Sequence, residues 1–190
     1  TAVAQIGDKT YSTLSAAINA AGQTATTIVL QNDTTESVKI PAGANITLDL
    51  NGHKVQAPIN NRYDAIVNFG TLTVKDSQKT GEIISGKNSG IGVKSDSNTT
   101  IEFARITGQE GAIGGDASTV GATVTIEDGH FKGVDNAVVI FNGSRREGAA
   151  NEITINDGTF EGTIQTAGYV ACGIYAPWKD IITVNNGIFN

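Results

Sequence analysis

The chain has 190 residues, 39% hydrophobic and 17% charged, with a net charge of -6 and a pI near 4.8. That length supports one domain with a continuous apolar core, and the acidic balance excludes an electrostatic nucleic-acid binder or a polybasic membrane anchor. The single cysteine, Cys172, excludes an internal disulfide, and no apolar run approaches the roughly 20 residues that cross a bilayer as a helix.

Residues 1–27 read as an end piece. Val3 to Ile6 and Thr10-Tyr11 form a strand pair around Gly7-Asp8. Leu14, Ala17, Ile18 and Ala21 then recur at i, i+3, i+4 and i+7, which predicts a helix over 13–21 with Ser12 as N-cap and Gly22 as its stop. A stack of repeats exposes its core at its ends, so this helix is expected to lie across the first coil as a cap.

From Thr27-Ile28-Val29-Leu30 onward one pattern recurs, an apolar pair around threonine: Ile46-Thr47-Leu48, Leu72-Thr73-Val74, Thr99-Thr100-Ile101, Val124-Thr125-Ile126, Ile153-Thr154-Ile155 and Ile182-Thr183-Val184. The last residue of each copy is 26, 27, 25, 29 and 29 positions beyond the one before. Alternation puts the apolar pair on one face and the threonine on the other. The last three copies run on through Asp-Gly or Asn-Gly to Phe131, Phe160 and Phe189, each 29 apart. Equal spacing predicts that the three rings stack inside the coil, with Ile106 and Ile84 in the same slot of earlier coils. A third strand per coil is read at 65–67, 90–93, 111–113, 137–140 and 173–175. The expectation is an all-β, right-handed parallel β-helix, a single domain over 1–190 with coils from 28 onward. A Greek-key sandwich has no reason to repeat at this interval. The chain stops inside a repeat, which points to a piece of a larger protein with adjoining domains.

The stretches Ile6-Gly7-Asp8-Lys9, Ala16-Ala17-Ile18-Asn19-Ala20-Ala21 and Ile46-Thr47-Leu48-Asp49-Leu50-Asn51-Gly52-His53 resemble the opening of pectin-lyase-like β-helix domains of modular Gram-positive bacterial surface proteins. The resemblance implies an extracellular, cell-surface or wall-attached adhesin-like role in contact with carbohydrate or a host surface component. No cofactor motif is found among the residues.

Catalytic chemistry is hard to find. Asp128 and Asp157 sit on adjacent coils, as glycoside hydrolysis would require of a carboxylate pair, but each precedes a turn glycine and is read as turn-forming. Asp96, Glu110 and Asp116 are in loops and are read as solvated charge rather than calcium ligands. His53, His130 and Cys172 lie too far apart for a zinc or nucleophile constellation, and Cys172 reads as a buried filler. No catalytic or metal residue is assigned. Loops are longest at 114–121, 142–151 and 176–180, and stacking sets them along one edge. Trp178, Tyr175, Lys179, Arg145 and Arg146 are therefore the candidate ligand-binding residues, an aromatic face for a sugar ring beside cations for acidic substituents. The expected function is a non-catalytic surface adhesion module contacting glycans. A polysaccharide lyase or hydrolase and a phage tail-spike segment are the alternatives.

Overall fold

The computed structural model describes residues 1–60, 62–141, 148–164 and 172–190, and these form a β-solenoid. Among them the strands assemble into three sheets of nine, seven and six. Each coil contributes one strand to each sheet, and every strand of a coil pairs in parallel with its counterparts above and below.

The first sheet is built from the threonine-centred pattern. Ile46 and Leu48 pair with Leu72 and Val74 in the next coil, then come Thr99 and Ile101, Val124 and Ile126, and Ile153 and Ile155. All of these side chains are buried. The intervening residues form an outward column, Thr27, Thr47, Thr73, Thr100, Thr125, Thr154 and Thr183. A side-chain period of two, repeated at constant register, produces both columns at once. Thr99 stands in the buried column of this sheet, and it accepts a hydrogen bond from Asn68 Nδ2 at 2.9 Å, so its burial leaves no polar group unpaired.

The second sheet carries the phenylalanines. Phe131 and Phe160 stack with ring centroids 4.9 Å apart, Phe160 and Phe189 at 4.8 Å, with the planes within 14° of parallel. These are the spacings of adjacent strands. Above Phe131 the slot is filled by Ile106, as the spacing predicts, and then by Ile83 rather than Ile84. Ile83 is fully buried and Ile84 faces outward opposite Thr107. Of two adjacent isoleucines only one can point inward, and the pairing with the neighbouring coil selects it.

The third sheet comprises Val38–Ile40, Ile66–Asn68, Ile91–Val93, Ile113–Gly115, Ala137–Phe141 and Cys172–Tyr175. It overlaps the expected third strand in every coil, sharing only Ile113 with the one expected at 111–113, and adds Val38–Ile40 in the first.

The N-terminal end is closed as expected. Ala4–Ile6 and Lys9–Tyr11 form an antiparallel pair, and Ala4–Ile6 continues antiparallel onto Thr26–Leu30. The helix spans Leu14–Ala21 and buries Leu14, Ala17, Ile18 and Ala21. Its N-cap is Thr13, not Ser12: Thr13 is in extended conformation and its hydroxyl accepts from Ala16 N at 3.0 Å. Either residue type can cap, and the start of the buried stripe at Leu14 puts Thr13 in the capping position. Glu36, from the first coil, accepts from Leu14 N and Ser15 N at 2.9 and 3.1 Å. The opposite end is apolar and open, with Ile181, Val184, Ile188 and Phe189 exposed.

Candidate functional site

Outside the core, the outer face of the third sheet carries a concavity. Its outward column runs Lys39, Val67, Gly92, Gly114, Ile140 and Tyr175. Two successive rungs lack a side chain, so the sheet is hollowed where the neighbouring rungs are filled. The hollow is a cleft of about 330 Å³ lined by Asp64, Asn88, Ser89, Lys94, Glu110 and Asp116 above the glycine floor, at the small end of ligand-sized pockets.

Each wall comes from a different connection. Asp64 precedes the strand Ile66–Asn68, and its Oδ1 accepts from Ser89 N at 3.0 Å. Its Oδ2 lies over Gly92, where a Cβ would collide with it. The bare rung is what admits this carboxylate to the sheet surface. Burial pushes the Asp64 carboxyl up from its ordinary value, against the opposing pull of Ser89 N–H and Lys94, and the charge of Asp116 adds to the rise. Asp116 behaves oppositely. Although burial works against it, the Ser118 hydroxyl and amide and the Lys94 ammonium, 3.1 Å away, bring its carboxyl down to about 2. At the rim, Arg62 pairs with Glu110. Glu110 and Asp116 are thus engaged in ion pairs rather than being merely solvated loop charge.

A shallower cleft of about 240 Å³ lies on the outer second sheet between Glu82, Arg105, His130, Lys132 and Glu161. Its charges alternate along the surface, with Lys132 3.8 Å from Glu161, and Glu82 is met from outside the cleft by Lys54 at 3.7 Å.

Of the residues singled out from sequence, Tyr175, Trp178 and Lys179 are all exposed on the last coils. Tyr175 stands on the same outward column as the cleft, opposite Ile140. Trp178 and Lys179 belong to the following connection, which Asp180 fastens: its Oδ1 accepts from Asn151 N and Nδ2 at 3.1 and 3.0 Å. Asp180 Oδ2 is buried with no hydrogen-bond partner among the described residues. The described parts of the long connections do stack along one edge, since Gly121 N donates to Ala149 O and Ala122 N to Asn151 Oδ1. Arg145 and Arg146 lie outside the described residues.

Asp128 and Asp157 each accept from the amide of the glycine that follows, at 2.8 Å. This is the turn role expected of them. Cys172 is half-buried rather than enclosed, and burial pushes its thiol up. Among the described residues no group of three or more His, Cys, Asp or Glu side chains is placed to hold a metal ion.

Sequence reasoning missed the cleft. Its one local signal is a pair of glycines at the third strand of successive coils, Gly90 and Gly92 in one and the adjacent Gly114 and Gly115 in the next, where outward positions otherwise carry side chains. No family model, curated protein or solved structure matches this chain.

Proposed function

We propose that the protein is a non-catalytic, extracellular surface module that holds a glycan along the outer face of its third sheet. The observation that carries the reading is the outward column itself, in which a polar cleft over Gly92 and Gly114 is followed by apolar Ile140 and aromatic Tyr175. From Gly92 to Tyr175 is three rungs, roughly 14 Å at about 4.8 Å per rung, enough for a short saccharide.

The division of labour follows from the chemistry of sugars. Hydroxyls need donors and acceptors, which Asn88, Ser89, Lys94 and Asp116 supply at one end. The C–H face of a ring needs a flat apolar partner, which Tyr175 offers at the other, with Trp178 exposed in the next connection. The turn role of Asp128 and Asp157 favours binding over hydrolysis. The resemblance to pectin-lyase-like domains of Gram-positive surface proteins supports a cell-surface setting.

A glycan array tests this. Wild-type protein is expected to retain a discrete set of glycans. Tyr175→Ala and Trp178→Ala are each expected to weaken the signal by about 5- to 50-fold, the loss of one aromatic platform, with unchanged thermal unfolding. Retention of full signal by both folded variants would reject the aromatic end of the site, and an array without hits would reject the function.

A further inference from the structure

The cleft on the third sheet also carries information about which glycan it takes. It is lined by three carboxylates, Asp64, Glu110 and Asp116, and by one ammonium, Lys94. Lys94 is committed to Asp116 at 3.1 Å, and Arg62 at the rim is committed to Glu110. Asp64 is the carboxylate to which the described residues bring no hydrogen-bonded cation. Among the described residues its side chain accepts one backbone N–H, from Ser89 N to Oδ1.

The other oxygen of Asp64 rests over Gly92, a rung with no side chain to donate to it. On the adjacent rung Gly114 is equally bare, and Ile140 Cγ2 and Ser89 Oγ close over it from the side. The walls offer neutral donors and acceptors from Asn88 and Ser89, which suit hydroxyls. Lys94 acts on Asp64 through its charge alone, without a hydrogen bond, and a half-buried carboxylate gains most from a charge-assisted donor.

We infer that the cleft takes an amino sugar with a free amine, its ammonium donating to Asp64 Oδ2 while its hydroxyls meet Asn88, Ser89 and Asp116. The inference rests on the glycan reading above and narrows it to one substituent. An N-acetylated sugar presents a larger neutral amide in the same place, leaving the carboxylate without its counter-charge and crowding the floor. Burial raises the Asp64 carboxyl, and an ammonium beside it would favour the ionised form. Lys94, Asp116, Glu110 and Ser89 are the charged and polar groups that face it. Asp116 stays ionised throughout the accessible range. Binding is therefore lost on acidification through Asp64, as pH falls into its raised range.

The test compares a β-1,4-linked glucosamine tetramer with its fully N-acetylated counterpart by titration calorimetry on the intact chain at about pH 6, where the amines are charged. The free-amine oligomer is expected to bind at least about tenfold more tightly, the equivalent of one charge-assisted hydrogen bond. Asp64→Asn, which keeps an acceptor for Ser89 N–H, is expected to erase that preference. The ligand pair itself needs no variant, so a poorly folding Asp64→Asn leaves the comparison intact. Equal affinity for the two oligomers overturns the amine assignment while the glycan reading stands. Binding of neither, beside array hits for other glycans, also overturns it, and a blank array removes the glycan reading as well.

Discussion

Phe160 sits with a ring on either side and no exposed surface. Phe160→Ala removes both contacts and leaves a cavity between rungs, an expected loss of about 3–5 kcal/mol in urea unfolding. Phe189→Ala is expected to lose much less, because that ring has one stacked neighbour and is already 40% exposed. Gly108 illustrates the opposite constraint. A Cβ there would run into the carbonyl oxygen of Gly111 and the amide nitrogen of Gly90. Gly108→Ala is expected to destabilise by about 3 kcal/mol, near the top of the range for overpacking, since backbone cannot step aside as a side chain can. At this scale the sequence was legible where identical residues recur at a constant interval, as with the phenylalanines. It was ambiguous where two equivalent residues are adjacent. Ile83 and Ile84, like Ser12 and Thr13, differ only in which one the neighbouring coil or helix start selects, and that choice is made in three dimensions.

The capping helix is an element whose form was readable and whose attachment was not. Its apolar stripe is local, but Glu36 reaches the helix N-terminus from 22 residues away in sequence, joined also by the Ser15 and Thr34 hydroxyls. The carboxylate neutralises amides that the helix leaves without partners. Although burial opposes the charged form, the hydroxyls of Thr34 and Ser15 and the amides of Leu14 and Ser15 hold Glu36 below its ordinary value. A lowered carboxyl contributes stability above the unfolded-state value and loses it as pH falls through the folded-state value. The cap is accordingly expected to loosen at acid pH, seen as faster hydrogen exchange at helix amides 18–21 than at the core strand 98–101. Glu36→Gln is expected to produce the same loosening at neutral pH, by about 1–2 kcal/mol, and to abolish its pH dependence.

Across the whole molecule, strands pair only with those of adjacent coils, so protection from exchange is expected to be highest in the middle rungs and lowest at the open end. Amides of Ile181–Val184, whose strand pairs on one side only, are expected to exchange at least about a hundredfold faster than those of Asn98–Ile101, which pairs on both. The solenoid was legible because its period is a linear property of the chain. The cleft was not, because Asp64, Ser89, Lys94 and Asp116 come from connections of unequal length in successive coils, and no sequence interval links them. The regular interval has one more use. In the second sheet Phe131 stands directly opposite Phe160, and His130 opposite Thr159, so a tandem copy of residues 131–159 would splice in without a seam. Such a protein should be longer by one storey, about 4.8 Å in X-ray scattering, with its lid and its floor unaltered. An insert one residue shorter would turn the following strands inside out. This chain is a rod whose length can be set by counting.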